Sequence, residues 1–324
     1  MPHDAQPGEF RHEAPGTRTR SGGITRIRAG GGSGRLPGMT TSTSAAFRTA
    51  DDERRFGAAY DAALARWPVP VTPLDVPTQY GTTRVNAAGR PDRPPLLLLS
   101  GGGATSASWW ANVGALVAVR RVYAVDHLGD AGRSVPAGRP MTTRAALLDW
   151  LTQVLDGLGV GRADVCGHSY GGWQAAALAV HAPGRVGRLA LLDPTSVFGG
   201  FAPRYLLRAA PMLLRPTEAR VRRFLAWETG GPAGEWADLQ VLAATAFRAA
   251  RPVPPRRPDV GALSAPLAVL VAGRSRSHDP ARVARQAREL FPSAVVEVLP
   301  GATHHSLPWR EAAAVDDALV RFLD

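Results

Sequence analysis

The stretch ADVCGHSYGGWQAAALAVHAP, from Ala163 to Pro183, decides the fold because it joins a strand to a helix through one sharp turn. The first part, ADVCGHS, is typical of a buried strand, and the second part, YGGWQAAALAVHAP, is typical of a helix. Between them lies GHSYG, Gly167 to Gly171, which matches the pattern G-x-S-x-G. In this context the pattern predicts a Ser held in a strained backbone conformation at the carboxyl edge of a sheet.

Ser169, at the centre of that pattern, is the expected nucleophile. Its hydroxyl would project near a helix N-terminus, whose amide groups stabilise negative charge. A Ser hydroxyl also needs a base that accepts its proton. The loop after the last predicted strand, VLPGATHHSL, contains two His residues, and we expect His304 to be this base, with His305 as the alternative. His168, beside the nucleophile, is expected to pack at the turn.

A negatively charged oxygen formed by attack on a carbonyl needs two backbone N–H donors. We expect one from Tyr170, the residue after the nucleophile. The other should come from the loop GGGATS, where Gly residues allow the backbone to approach a substrate closely, and Gly102 is preferred over Gly103. A plain flexible Gly turn is the alternative. No G-K-[ST] follows, so a nucleotide site is not expected.

Predicted strands and helices alternate along most of the chain, which indicates parallel strands joined by right-handed crossovers. The expected fold is therefore α/β, with a doubly wound, mostly parallel sheet. The further predicted strands are TRVNAAG, PPLLLLS, RRVYAVD, VGRLALLD, PLAVLVA and AVVEVLP.

Residues 199–258 break this alternation. They have helical patterns interrupted by Pro and Gly and no strand signal, so we predict a helical cap inserted into a core formed by residues 46–198 and 259–324. The insertion contains ten Arg and four acidic residues, a net charge of +6. A solvated outer face explains this charge, and attraction of an anionic substrate or surface is the alternative.

Residues 1–45 are rich in Gly, Arg, Ser, Thr and Pro. They offer too little apolar surface to offset the entropy of ordering, so we predict a disordered extension. It has no apolar region or cleavage site of a secretory signal, and Met39 is a possible alternative start.

The composition limits the classes of function. The net charge of +11 comes from 38 basic residues, all Arg, against 27 acidic ones. No nucleic-acid-binding motif accompanies this charge, so we expect no nucleic-acid partner. No apolar run has the length of a membrane span. Cys166 is the one cysteine, which excludes an internal disulfide. A single cysteine favours a reducing compartment, so we expect a cytoplasmic protein. The oligomeric state stays open.

Together these motifs resemble the α/β-hydrolase superfamily, and within it the bacterial serine carboxylesterases. The matching stretches are RWPVPV, PPLLLLSGGGATSASWW, VYAVDHLGDAGRS, GHSYGG, RLALLDP and LPGATHH, which together span most of residues 60–324. The resemblance implies a Ser–His–acid triad, an acyl-enzyme intermediate and no cofactor or metal. It also implies a small acyl substrate. The apolar residues of the cap fit the lining of a pocket for an apolar group, and they fit ordinary packing against the core equally well.

Two positions depart from the pattern of the family. Ser100 stands where a His often opens the oxyanion loop, which should weaken the ordering of that loop. Relatives usually place the triad acid about three residues after the Gly of PLAVLVAG, and that position is Arg276, which cannot accept a hydrogen bond. Asp279 is one alternative acid, because it could reach back into the site, but an Asp before Pro280 is also explained as a helix N-cap.

Asp193, at the end of RLALLD, is therefore the expected acid, because some α/β-hydrolases carry it at the end of this strand. A turn-forming Asp before Pro194 is the structural alternative. A Ser–His dyad, or a relative that binds a small apolar ligand without turnover, is a further alternative. The expected reaction is hydrolysis of a carboxylic ester or a related acyl bond; thioester, lactone and peroxyacid chemistry use the same groups. Epoxide hydrolysis and dehalogenation are disfavoured, because relatives that catalyse them have an Asp nucleophile at the position of Ser169.

Overall fold

The computed structural model describes residues 46–232, 234, 236–250 and 252–324. The predicted disordered extension, residues 1–45, lies outside the described residues. The described strands form one sheet: β1 (Thr72–Thr78), β2 (Gly81–Ala88), β3 (Pro95–Leu99), β4 (Arg121–Val125), β5 (Val135–Pro136), β6 (Ala163–His168), β7 (Val186–Leu192), β8 (Leu267–Ala272) and β9 (Val295–Leu299).

The described helices alternate with these strands, and none of them is long and apolar enough to cross a membrane. They are α1 (Ala50–Leu64), α2 (Val113–Leu116), α3 (Arg144–Gly157), α4 (Tyr170–His181), α5 (Pro203–Leu214), α6 (Glu218–Thr229), α7 (Trp236–Ala246), α8 (Pro280–Leu290), α9 (Leu307–Arg310) and α10 (Ala312–Leu323).

The strand order is β1-β2-β4-β3-β6-β7-β8-β9, and β5 pairs with β2. The strands from β4 through β3, β6, β7 and β8 to β9 pair in parallel, whereas β2 is antiparallel to β1, β4 and β5. The predicted doubly wound, mostly parallel sheet is confirmed. This order brings the carboxyl ends of β3, β6, β7 and β8 to one edge, where ligands bind in such sheets.

The apolar sequence of β3 explains why helices cover both faces of the sheet. Its four Leu residues are fully buried. Leu97 and Leu99 pack in a core with α3, α4 and α8, whereas Leu96 and Leu98 pack in a second core with α2 and α10. Side chains alternate between the faces of a strand, so a continuous apolar run requires helices on both faces.

Three helices, α5, α6 and α7, lie between β7 and β8, within the predicted insertion 199–258. They share a small apolar core that includes Tyr205, Phe224 and Val241. A second cluster, with Phe56 of α1 and Phe247 after α7, joins this insertion to the first helix. The assignment of residues 199–258 as a cap stays a prediction.

Candidate active site

The turn between β6 and α4 holds Ser169 in the conformation that the motif predicts. Its φ is +55° and its ψ is −116°, a region that side chains rarely adopt. A Cβ on Gly167 would collide with the carbonyl oxygen of Gly171, and a Cβ on Gly171 would collide with that of Leu99. Both Gly residues are therefore required by close backbone approach, and the turn raises Ser169 above the sheet edge.

Three predicted residues from separate parts of the chain lie in hydrogen-bond contact. Oγ of Ser169 lies 2.8 Å from Nε2 of His304. Nδ1 of His304 lies 2.6 Å from Oδ2 of Asp193. Asp193 follows β7 and His304 follows β9, so the sheet topology brings both to the edge where Ser169 stands. The His donates from Nδ1 to the carboxylate, which leaves Nε2 free to accept the Ser proton.

Asp193 is fully buried, and its φ is +44°, which is unusual for a residue other than Gly. Its carboxylate accepts hydrogen bonds from the Ala272 backbone N–H at 3.0 Å, from the Ser275 hydroxyl at 2.9 Å and from Nε2 of His278 at 2.9 Å. Burial acts to raise the pKa of Asp193, but the charge and hydrogen bonds of His278 and His304 outweigh burial and lower the pKa. The carboxylate is thus kept ionised.

His278 and the two neighbouring Ser residues were missed by sequence reasoning. The hydroxyl of Ser277 lies 3.1 Å from Nδ1 of His278 and 3.2 Å from Nδ1 of His304, so it bridges the two rings. A signal was present in the printed stretch GRSRSHDP, which follows β8. The loops after neighbouring parallel strands share one edge, so the polar residues of this loop could have been placed beside Asp193.

The same loop contains the two residues that sequence analysis set aside. Arg276 has its guanidinium carbon 4.9 Å from the ring centroid of Trp227, a cation–π contact with the insertion. Asp279 is exposed and accepts a hydrogen bond from the Arg282 backbone N–H at 3.1 Å. It is the N-cap of α8, with Pro280 as the first residue of that helix. Neither side chain contacts His304 in the described hydrogen bonds.

The predicted oxyanion donors lie on two elements that face each other. Tyr170 is the first residue of α4, so its N–H belongs to the first turn, which has no intrahelical acceptor. A Cβ on Gly102 would lie 3.7 Å from Cβ of Tyr170, so the two backbones are close. The alternative, Gly103, donates its N–H to Asp130 at 2.7 Å. This leaves Gly102 as the better candidate.

The predicted oxyanion loop begins at Ser100, which has two hydrogen-bond partners. The Ser100 hydroxyl donates to the carbonyl of Thr105 at 2.9 Å, which closes the loop on itself. Nε2 of His127 lies 2.8 Å from the carbonyl oxygen of Ser100. These contacts order Ser100 itself, and the weakening expected from the absence of a His at this position stays a prediction.

The remaining His residues of the site have other partners. Nε2 of His168 donates to the carbonyl of His304 at 2.8 Å, and burial together with the charge of His304 lowers the pKa of His168 to about 3. His305, the alternative base, has its Nδ1 3.3 Å from buried Glu228 of α6. Glu228 also accepts from the Thr303 hydroxyl at 3.0 Å and the His305 backbone N–H at 3.1 Å. His305 therefore helps to fix the loop.

A cavity of about 610 Å³ opens over Ser169. It is lined by the oxyanion loop, by α1, by α7 of the insertion and by the loop of His304; its large or charged members are Arg66, Trp110, Trp236, Asp238 and Trp309. Ser169 is half-buried and Gly102 is exposed at this cavity. Among the described residues, no group of three or more His, Cys, Asp or Glu side chains is placed to hold a metal ion. The space suits an organic substrate with apolar parts.

Comparison with known proteins identifies the family. The model of the alpha/beta hydrolase family matches residues 96–318. The chain belongs to the α/β-hydrolase family. The match begins within β3 and ends within α10, so it contains all three of Ser169, Asp193 and His304.

Two curated proteins of Bacillus subtilis are similar in sequence to this α/β-hydrolase. It is 34% identical to carboxylesterase YbfK over 185 residues, which are 57% of this chain and 61% of the relative. It is 31% identical to the uncharacterized carboxylesterase nap over 160 residues, 49% of this chain and 53% of the relative. The chain thus matches less than two thirds of the length of these curated relatives.

Solved structures cover more of the α/β-hydrolase. Carboxylesterase CesB (YbfK) of Bacillus subtilis superposes with a TM-score of 0.78 at 27% identity, over 84% of this chain and 98% of that one. Naproxen esterase (carboxylesterase NP) of the same organism gives 0.77 at 26% identity, over 85% and 99%. The predicted resemblance to bacterial carboxylesterases is confirmed.

Proposed function

We propose that this protein is a carboxylesterase that uses Ser169 as nucleophile, His304 as base and Asp193 as the acid. The observation that carries the proposal is the continuous chain of contacts from the Ser169 hydroxyl through His304 to Asp193, at 2.8 and 2.6 Å. The likeness to bacterial carboxylesterases supports an ester as the substrate.

In the first half of the reaction, Nε2 of His304 accepts the proton of Ser169 while Oγ attacks the ester carbonyl carbon. Asp193 holds Nδ1–H and stabilises the imidazolium that forms. The carbonyl oxygen becomes an oxyanion, which the N–H groups of Gly102 and Tyr170 stabilise. The C–O bond to the alcohol then breaks, the imidazolium gives its proton to the leaving alcohol, and an acyl-Ser remains.

In the second half, a water molecule takes the place of the alcohol. His304 accepts a proton from this water, whose oxygen attacks the acyl carbon, and the oxyanion forms again between the same two amides. Collapse of the intermediate breaks the bond to Oγ of Ser169 and returns the proton from His304 to that oxygen. The products are one carboxylic acid and one alcohol, and no cofactor is consumed.

The three-helix insertion serves as the cap of this site. Trp236, Leu239 and Gln240 of α7 line the cavity over Ser169, which supports a role in enclosing the substrate. Glu228 of α6 bonds to the loop that carries His304, so the cap and the base are connected. The cytoplasmic location stays a prediction from the single cysteine.

The test is turnover of 4-nitrophenyl butyrate together with covalent labelling by a fluorophosphonate probe. We expect hydrolysis and one adduct on Ser169, and we expect Ser169→Ala to lose both. The control is Ser293→Ala, which removes an exposed hydroxyl that does not line the cavity. A wild-type protein that binds the ester but neither hydrolyses it nor accepts the label would instead be the non-catalytic ligand-binding relative.

A further inference from the structure

The cavity lining contains one acid and one Arg, which differ in their partners. Of the described residues that line it, Asp238 is the only acid, and its carboxylate lies 2.7 Å from Nη2 of Arg222. Arg222 does not line the cavity, and it also pairs with Glu218 at 2.8 Å. Arg66 is the only Arg of the lining. No ion pair among the described residues includes Arg66. Arg66, whose side chain is exposed, is therefore the Arg of this lining without an acidic partner, and it stands in the same cavity wall as the proposed nucleophile.

The guanidinium of Arg66 is held in place by an aromatic ring. Its central carbon lies 3.6 Å from the ring centroid of Trp110, which also lines the cavity. Such a contact uses the face of the planar guanidinium and leaves the N–H donors at its edge available. Those donors match the two oxygens of a carboxylate, which an Arg binds through two parallel hydrogen bonds. The Trp110 contact thus reduces the entropy lost when an anion binds.

The position of Arg66 at the end of α1 gives a simpler explanation of its positive charge, but it does not explain why the side chain lies in the cavity wall. Arg66 follows the last turn of α1, and a cation there is favoured by the helix dipole. That explanation needs no aromatic contact and no cavity. Arg55, in the middle of α1, is exposed and does not line the cavity, so it serves as a matched Arg with the same charge.

We propose that Arg66 determines specificity by binding a carboxylate of the substrate away from the ester bond. The substrate class is a carboxylic ester that keeps a second, free carboxylate, such as a monoester of a dicarboxylic acid. The indole rings of Trp236 and Trp309, whose centroids are 5.1 Å apart in the cavity lining, would cover the apolar part between the two groups. The proposal rests on the proposed esterase function.

The kinetic test compares esters that differ only in the distal group. 4-Nitrophenyl monoesters of dicarboxylic acids with four to eight carbons are paired with neutral 4-nitrophenyl esters of equal chain length. A second pair, 3-butyryloxybenzoate and phenyl butyrate, places the carboxylate on the alcohol side. We expect kcat/KM to favour the anion in at least one pair, and Arg66→Gln to reduce that preference about tenfold or more, as for a lost charge-assisted hydrogen bond.

Two variants distinguish recognition by Arg66 from a general effect of charge, and a salt titration tests whether the preference is electrostatic. Arg55→Gln should leave the preference unchanged, and Arg66→Lys should restore only part of it, since Lys lacks the planar fork. The preference should weaken as salt is raised. Equal preference in wild type and Arg66→Gln, or an equal loss in Arg55→Gln, would overturn the proposal.

A binding measurement keeps this proposal separate from the proposed function. Ser169→Ala and the double variant Ser169→Ala, Arg66→Gln are titrated with 4-nitrophenyl hydrogen adipate, and Kd is read from quenching of Trp fluorescence. We expect binding about tenfold weaker in the double variant. This readout needs no turnover, so an inactive wild type would refute the esterase and leave the Arg66 result standing. Equal Kd values would refute the role of Arg66.

Discussion

The Asp193 carboxylate lies between two imidazole rings, with Oδ2 2.6 Å from Nδ1 of His304 and Oδ1 2.9 Å from Nε2 of His278. Each carboxylate oxygen of Asp193 therefore accepts a hydrogen bond from a different His ring. The residue is fully buried and has a positive φ, so the loop geometry and not solvent determines its orientation. Arg276, at the position where the family resemblance predicts the acid, instead contacts the ring of Trp227.

The first prediction tests which carboxylate acts with His304. Asp193→Asn should lower kcat by about two to four orders of magnitude, because an Asn cannot stabilise the imidazolium and favours the wrong ring tautomer. Asp279→Ala should keep kcat and lower the free energy of unfolding by about 1 kcal/mol, as for loss of an N-cap. Ester kinetics and urea denaturation check both. The opposite pattern would assign the acid to Asp279.

The second prediction concerns His278 as a positioning residue. His278→Leu removes a donor to Asp193, and loss of a hydrogen bond to a charged group, about 1.5–3 kcal/mol, corresponds to about 10- to 100-fold in kcat. KM should change little, since His278 does not line the cavity. His278→Gln, whose amide can still donate, should recover part of kcat. A change in thermal stability with unchanged kcat would make His278 merely structural.

The third prediction uses the pH dependence of Glu228. Burial acts to raise the pKa of Glu228, but the charge of His305 and its hydrogen bonds outweigh burial and lower the pKa to about 2. A carboxyl with a depressed pKa stabilises the fold above its unfolded pKa, near 4.5, and loses this contribution as the pH falls towards 2. Glu228→Gln should therefore cost about 1–3 kcal/mol at pH 7 and progressively less below pH 4.5.

Urea denaturation between pH 7 and pH 3 measures this difference. Glu218→Gln is the control, since Glu218 begins the same helix and forms an exposed pair with Arg222. It should change the free energy of unfolding by less than about 0.5 kcal/mol at every pH. A Glu228→Gln penalty that is constant from pH 7 to pH 3 would contradict the predicted linkage.

The parts of the fold that were predictable are those with strong local patterns. The backbone packs so closely at the turn of Ser169 that only Gly fits at Gly167 and Gly171. The sequence motif therefore predicts this turn directly. The strand β1 was missed. Its sequence TPLDVPT contains Pro73 and Pro77, which weaken a strand signal and are tolerated because β1 is an edge strand.

The parts of the site that were not predictable depend on contacts between distant loops. Asp193 could be proposed because the ends of neighbouring parallel strands meet at one edge. The bond of His278 to Asp193 could not, because the residues are 85 positions apart and the orientation of a loop side chain has no periodic signal. The bond of Glu228 to the His304 loop likewise depends on how the insertion packs over the core.

The last prediction concerns Asp316 on α10, which does not line the cavity. Burial and the charge of Asp317 raise the pKa of Asp316 to about 6, against a hydrogen bond from Asn112 at 2.8 Å that lowers it. A raised carboxyl pKa means that folding favours the protonated form, so stability falls as the pH rises from about 4 to about 6 and is constant above. Asp316→Asn, which keeps an acceptor for Asn112, should leave Tm nearly unchanged at pH 4 and raise it at pH 7.5. Asp317→Asn should give a smaller rise in Tm at pH 7.5, since it removes only the neighbouring charge. A Tm for Asp316→Asn below that of the wild type at pH 7.5 would show that the ionised carboxylate stabilises the fold.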